Sequence, residues 1–358
     1  MRAFEDGPAL VPGTICRAGT ALILDGRAGV GVRREATLAF LSAGDLAIQW
    51  TQSVGAVSLA GVRGSTAVLC ARTAVLGFDV VRRREAWRIE CDGALSIGRY
   101  VLVRSLKASG TWSVLDWETG KLGETFRPGG VPETIVGGIC VSSSPVQIGA
   151  DGSLHSDGMI TAVQVSTGRE LWQRPVVREL GVLSAIGFYE GTFASQVLGV
   201  TVDQDLVAAL DLSDGRLLWR AAVRVPYVGL LVSNGQIPVL SHGNDACSRF
   251  VVIDERTGDL LADREKWTGM IHEKPGSMLR DDIVAFPSES GHIAVFSTVT
   301  GECLAIEQTK RSLWTSTVVD DRLVVASSTG EVLAYRLEDG EAPAPGPKKT
   351  MLRKRGAR

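Results

Sequence analysis

The chain has 358 residues, 45% hydrophobic and 22% charged, enough to bury one or two substantial cores. Its formal net charge is −2, and six basic groups fall within the last eleven residues, so the body is mildly acidic and is not built as a nucleic-acid binder. Forty-one Gly against 6% aromatics suit many short strands joined by tight turns.

The opening residues, MRAFEDGPALVPG, lack a basic stretch followed by an apolar one, and no apolar run approaches the ~20 residues of a membrane helix. A cytoplasmic protein is the expectation. Thirty Arg against eight Lys suggests GC-rich coding and a bacterial source.

In chain order the same sentence recurs. TLAFLSAGDLAIQW carries Gly44 and Trp50, and VLGFDVVRRREAW carries Asp79 and Trp87 with Arg83 in the turn. WSVLDWETGKL has Asp116 four before Gly120, and ITAVQVSTGRELW places Gln164 and Trp172 four residues either side of Gly168. VAALDLSDGRLLW places Asp211 and Trp219 four residues either side of Gly215. FVVIDERTGDLL has Asp254 before Gly258, IAVFSTVTGECL turns on Gly301, and VLAYRLEDGE turns on Gly340. Taking Arg83 as the second turn position, the eight turns are 37 to 48 residues apart, a period that marks a repeat architecture.

Each unit reads as a strand, a turn and a strand. The run before the turn is apolar and rich in β-branched residues, which predicts a strand with a buried face. The turn Gly is free to take positive φ, and the Asp, Ser or Gln four before it is placed to bond turn amides. The following Trp is expected to cover the neighbouring unit. Further hairpins lie upstream, such as Ile283–Phe286 before Ile293–Phe296. Four-stranded antiparallel units of this length predict an all-β fold, a single β-propeller of eight blades with seven as the alternative, over residues 1–340.

After Gly340 the segment EAPAPGPKK cannot form a strand, leaving the last unit without its outer one. The expectation is that a segment before Thr14, either 1–5 or 9–12, supplies it. Residues 341–358, Pro-rich and then basic, are expected to be disordered alone.

The pattern strand–D–x–x–T/D–G–x–x–hydrophobic–W resembles the PQQ-like, quinoprotein-type propeller repeat, most clearly in DLSDGRLLW, QVSTGRELW and LDWETGK. The resemblance spans about residues 14–340. It implies the propeller fold, but the family includes quinone-dependent dehydrogenases, the propeller lipoprotein of the BAM complex and many scaffolds, so it does not assign a function.

Candidate chemistry is sparse. Quinoprotein dehydrogenases typically carry adjacent cysteines, and the six cysteines here (16, 70, 91, 140, 247, 303) include no such pair and no CxxC. They read as buried thiols, with neither disulfides nor a zinc site expected. No HExxH, P-loop or GxSxG pattern occurs. No catalytic, metal or cofactor residue is therefore assigned, and no cofactor is expected. The longest predicted loops are Ser142–Gly158, with Asp151, His155 and Asp157, and Ser241–Ser248, with His242 and Asp245. Both join second to third strands and so share one end of the fold with His292, where a binding face is sought first. Arg82–Arg84 falls at the opposite end and reads as a solvated turn, with anion binding as its alternative. In the tail, Lys348, Lys349, Arg353, Lys354 and Arg355 are candidates for an acidic partner surface.

The reading is a non-catalytic interaction scaffold whose loops bind other proteins. The alternatives are a quinone- or metal-dependent enzyme or small-ligand binder at the channel mouth, and an anionic partner, nucleic acid or lipid, held by the basic tail.

Overall fold

The computed structural model describes the chain from Cys16 to Lys354 except for residues 18–19, 27–35, 43–47, 56, 64, 72, 98–99, 107–108, 146, 149–153, 157, 181–185, 194, 202–205, 224, 226–229, 243–246, 269–275, 289, 310–312, 320–321, 328–331 and 338–351. Gly44, Asp151, Asp157, Asp245, Gly340, Lys348, Lys349 and Arg355 lie outside the described residues, as do both N-terminal segments expected to complete the last unit.

The apolar runs form antiparallel strands in consecutive meanders, the unit of a propeller. The first sheet holds Cys16–Arg17, Thr20–Gly26, Ala36–Ser42 and Ile48–Gly55. The second holds Val57–Arg63, Thr66–Ala71, Ala74–Asp79 and Arg84–Glu90. The third comprises Gly93–Ile97, Tyr100–Arg104, Trp112–Leu115 and Leu122–Phe126. In the fourth the order is Val131–Val136, Ile139–Ser143, Met159–Gln164 and Arg169–Pro175. The fifth contains Ile186–Glu190, Gln196–Thr201, Leu206–Asp211 and Leu217–Ala221.

The sixth sheet has three strands among the described residues, Gln236–His242, Cys247–Asp254 and Leu260–Thr268. The seventh holds Ser277–Arg280, Ile283–Pro287, His292–Ser297 and Cys303–Gln308. In the eighth, Leu313–Val319, Arg322–Ser327 and Val332–Leu337 are joined by Leu352–Lys354. Among the described residues no helix is long and apolar enough to cross a membrane.

The eighth sheet corrects the expected origin of its outer strand. The tail supplies it: Tyr335, Arg336 and Leu337 pair antiparallel with Lys354, Arg353 and Leu352. Leu352–Lys354 lies within the tail and is paired, so the tail is not wholly the unstructured end expected. The exposed edge of Val332–Leu337 offers unpaired amides and carbonyls, which is the physical reason for this pairing.

Two compact units divide the chain. One consists of residues 1–89 with 267–358, the other of residues 90–266. In the second unit the core lies between successive sheets. Trp172 packs with Val141, Ile160, Phe188 and Leu210, bridging sheets four and five, and Trp219 packs with Val200, Ile237 and Ile253, bridging five and six. A short helix, Val176–Leu180, links sheets four and five and buries Val176 and Leu180 in the first of these clusters. In the first unit Leu38 joins Leu69, Leu76 and Phe78 between sheets one and two, and Val295 joins Leu323 and Tyr335 between seven and eight.

The turn chemistry follows the sequence closely. Gly120, Gly168, Gly215, Gly258 and Gly301 all have positive φ, between 67° and 78°. Their amides donate to the carbonyls of Asp116, Gln164, Asp211, Asp254 and Ser297 at 2.8–3.0 Å. The Asp side chains accept further turn amides: Asp254 Oδ1 takes Arg256 N and Thr257 N, each at 2.9 Å. Asp211 accepts Ser213 N at 2.8 Å, and Asp116 accepts Thr119 N at 2.7 Å. Gln164 departs from the expectation. Its longer amide points away from its own turn and donates to the Gly138 carbonyl at 3.2 Å. Arg83 stands where the other turns have Gly, and it adopts the same left-handed conformation, φ 56°.

Candidate functional site

Two ends of the sheets need separate treatment. The end carrying the Asp–Gly turns is rigid. Trp172 lies opposite Ala162 and Trp219 opposite Ala209, small partners that leave room for an indole across the strand. Each indole reaches the next sheet's turn. Trp172 Nε1 donates to Leu212 O at 2.8 Å and Trp219 Nε1 to Glu255 O at 3.0 Å. A Cβ on Gly215 would meet Trp172 at 2.5 Å, and one on Gly258 would meet Trp219 at 2.7 Å, so the turn Gly is the floor on which the Trp sits. Arg174 Nε adds a bond to Asp214 O at 3.0 Å. Trp87 lies across Gly77 of its own sheet, with its Nε1 buried and without a hydrogen-bond partner.

Glu255, which nothing in the sequence singled out, completes this lock. It is fully buried, and its carboxylate accepts Thr192 N at 2.6 Å, Phe193 N at 3.2 Å, Gln196 Nε2 at 3.2 Å and the Thr192 hydroxyl. Its carbonyl takes Trp219 Nε1 and also Gln196 Nε2, the latter at 3.0 Å. One side chain thus satisfies the loop at 191–196 of sheet five from the turn of sheet six, offsetting the desolvation of its charge with charge-assisted bonds.

At the same end of the first unit, Arg82 pairs with Asp79 at 3.4 Å and Arg83 lies 5.7 Å above the Trp50 ring, while Arg84 opens the fourth strand of sheet two. Two of the three arginines are engaged with their own fold. Trp50 itself stacks on Phe40 at 5.4 Å and tilts against Phe78 at 6.0 Å.

The opposite end of the second unit carries the connections between second and third strands, and it is less regular. Between Ile139–Ser143 and Met159–Gln164 the chain forms a ribbon of its own, Gln147–Ile148 paired with Leu154–Ser156. His155 sits in this ribbon, whereas His242 ends the first described strand of sheet six, opposite Ser248. The sequence-predicted pair is therefore placed on different sheets, with sheet five between them. His292 belongs to the first unit, where Ser290 Oγ lies 3.0 Å from its Nδ1 and Ser288 Oγ accepts its amide at 2.9 Å. Among the described residues no group of three or more His, Cys, Asp or Glu could hold a metal ion. Arg353 and Lys354 lie in the outer strand of sheet eight.

At the base of the ribbon, Ser144 Oγ accepts Met159 N at 2.8 Å, and Ser143 Oγ donates to Glu133 at 2.9 Å. Burial pushes the Glu133 carboxyl above the ordinary carboxylate range, against the Ser143 hydrogen bond. Its charge is felt by two neighbours whose burial is the larger effect: the Tyr189 hydroxyl and the Cys140 thiol are each pushed up to about 12. Cys91 is also raised by burial, and Cys303 is raised to about 11 by the same cause; Cys91 and Cys140 are buried, whereas Cys70 and Cys303 are half-buried. Around this end Val131 is 54% exposed at the start of the innermost strand, and Leu106 is 62% exposed in the connection of sheet three. The arrangement offers a two-stranded ribbon, a half-buried carboxyl and exposed apolar side chains, groups suited to docking. The sequence reading missed Glu133, whose signal is its place as the lone charge in the run VPETIV; the ribbon itself left no sequence signal beyond loop length.

Comparison with known proteins bears on this geometry. The family model described as outer membrane protein assembly factor BamB matches residues 156–344. The outer membrane protein assembly factor BamB of Moranella endobia is 24% identical over 218 residues, 58% of this chain and 50% of the relative. That of Legionella pneumophila is 26% identical over 166 residues, 43% of this chain and 39% of the relative. The chain therefore spans half or less of the length of these curated relatives. The crystal structure of BamB from Moraxella catarrhalis superposes with a TM-score of 0.59 at 19% identity, covering 90% of this chain and 96% of that one. At that identity the likeness shows the fold, an all-β propeller type.

Proposed function

The chain belongs to the family described as outer membrane protein assembly factor BamB, and from that premise we propose that it is a non-catalytic scaffold that binds other proteins during outer membrane protein assembly. The observation that supports this most is the contrast between the two ends of residues 90–266. One end is fixed by the Trp–turn contacts and the buried Glu255, and the other carries the 147–156 ribbon beside exposed Leu106 and Val131. Function tends to sit on irregular loops held by a rigid frame. The partner surface is accordingly the ribbon end, and residues 1–340 act as a propeller domain whose eighth sheet is completed by Leu352–Lys354 of the tail.

Affinity purification of the tagged protein from its native cells at moderate salt, followed by mass spectrometry, tests the proposal. A stoichiometric protein partner that is lost on deleting 145–157, with thermal stability unchanged, supports it. A monomer that instead carries a quinone or a metal overturns it in favour of the enzyme. Affinity for an anionic partner that falls steeply with salt and disappears without 348–358 assigns binding to the tail instead. The cytoplasmic residence expected from the opening residues is a separate reading from this one, and fractionation decides between them: recovery with the outer membrane favours the assembly role, and recovery in the cytoplasm counts against it.

A further inference from the structure

The turn of sheet two keeps the frame of the other Asp turns and differs in what it presents. Asp79 Oδ1 accepts Val81 N at 3.0 Å and Arg82 N at 2.9 Å, as Asp254 accepts its own turn amides in sheet six. Val80 is buried and anchors the turn on the core. The residues after it face solvent: Val81 is 74% exposed, and Arg82, Arg83 and Arg84 are exposed beside it.

Charge sets this turn apart. Residues 81–85, VRRRE, carry a net +2, whereas the equivalent residues 118–122, 166–170, 213–217 and 256–260 are each neutral and 299–303 carry −1. Glu85 is held by Arg88 through two bonds, at 3.1 and 2.8 Å, so it does not offset the arginines of the turn. Asp79 pairs with Arg82 at 3.4 Å, which leaves the charges of Arg83 and Arg84 in excess.

The backbone points the same way. Five turns place Gly at the left-handed position, and here Arg83 occupies it at φ 56°. The other non-glycine residue at positive φ among those described is Asn234, a residue type that tolerates the region. A side chain retained where Gly would be unstrained is a mark of use. The Trp50 ring, 5.7 Å from the Arg83 guanidinium, orders that side chain without neutralising it.

We propose that the 81–84 turn is a contact site for an anionic phospholipid surface, with Arg83 and Arg84 on headgroup phosphates and Val81 at the boundary with the acyl chains. Guanidinium groups match phosphate oxygens. A lipid surface sets phosphate beside hydrocarbon, which is what an apolar tip among arginines fits. An acidic protein surface would match the arginines and leave Val81 unused. The proposal is independent of the scaffold reading, which rests on residues 90–266.

The test is co-sedimentation of the full-length chain with phosphatidylcholine vesicles, with and without phosphatidylglycerol. Each basic group near an anionic surface is worth about fivefold in partitioning, so Arg84→Ser should weaken binding about fivefold, and Arg84→Ser with Arg83→Gly about 25-fold. Val81→Ser should weaken it about three- to tenfold while the fall in binding with added salt is retained. Circular dichroism confirms that each variant is folded. Lys348→Ser, Lys349→Ser and Arg355→Ser together, in the basic tail, should leave binding as in the parent. The proposal is overturned if binding survives the turn variants and disappears with the tail variant. Equal binding to vesicles without phosphatidylglycerol, or none to those with it, also overturns it. So does competition by polyglutamate as effective as by the vesicles with no effect of Val81→Ser, an outcome that assigns the turn to an acidic protein.

Discussion

Adding one methyl group to a turn glycine separates the backbone part of the turn from its packing part. Gly215 and Gly110 have nearly the same positive φ, 73° and 72°. A Cβ on Gly110 meets nothing within 4 Å, whereas one on Gly215 comes within 2.5 Å of the Trp172 ring. Placing Ala in the left-handed region costs about 1–2 kcal/mol at either position. At Gly215 the indole must also move, and it is held by its bond to Leu212 O and by burial that leaves only 7% exposed. Overpacking of this kind costs a further ~1–3 kcal/mol.

Gly110→Ala is therefore expected to lose about 1–2 kcal/mol and Gly215→Ala about 2–5 kcal/mol. For a chain of this size unfolding as one cooperative unit, the larger loss lowers Tm by about 3–7 °C. Urea titrations followed by tryptophan fluorescence and circular dichroism give the two values. Trp172→Ala alone should cost about 3–5 kcal/mol, but added to Gly215→Ala it should cost less than the sum, because the clash has gone. Equal losses at Gly110 and Gly215, or strict additivity in the double variant, would refute the claim that the glycine exists to seat the indole.

Three further outcomes follow from the same geometry. Arg83→Ala keeps the left-handed turn and loses the contact over Trp50, while Arg83→Gly also relieves the backbone, so the Gly variant should be the more stable of the two by about 1 kcal/mol in urea titration. Glu255→Gln would turn an amide donor toward the donors at Thr192, Phe193 and Gln196, and is expected to cost at least ~2 kcal/mol, read as a lower urea midpoint. Asp79 is held below the usual carboxylate range chiefly by the Arg82 amide, Asp211 by the Ser213 hydroxyl and Asp254 by the Thr257 amide. A depressed native pKa stabilises above the unfolded value of about 3.9 and is lost as pH falls through the native one, so the urea midpoint should drop below about pH 4. Asn at the three positions should flatten that slope.

The repeat was legible because its parts are locally determined. A left-handed turn position selects Gly, and the acceptor four residues earlier selects Asp, so both leave a mark at fixed spacing whatever the tertiary context. Arg83 shows the converse. The residue departs from the pattern, yet the conformation does not, because the neighbouring strands impose the turn and Trp50 receives the side chain. The outer strand of sheet eight was misplaced for a different reason. Strand pairing at an edge depends on what can reach it, and a three-residue strand after a Pro-rich segment carries no periodicity from which to be read. His155 and His242 were sensible candidates by loop position, but equivalent loops on sheets four and six are not neighbours.

Glu255 explains why the rigid end was only half visible. It follows Asp254 at a position where Val80, Trp117, Leu212 and Thr298 are buried and Val165 is half-buried. In sequence it therefore looks like one more charge in an exposed turn, DERTG. Its burial follows from the loop at 191–196, whose amides converge on it, and from Gly191, where a Cβ would meet its Oε1 at 2.2 Å. A carboxylate surrounded by donors from the adjoining sheet ties sheets five and six more specifically than an apolar residue, since any slippage strands both the charge and the amides. The two indoles act likewise on sheets four, five and six. These contacts converge at the turn end of the sheets, which leaves the connections at the other end free to lengthen. The ribbon is therefore the element whose removal should alter binding without altering the fold.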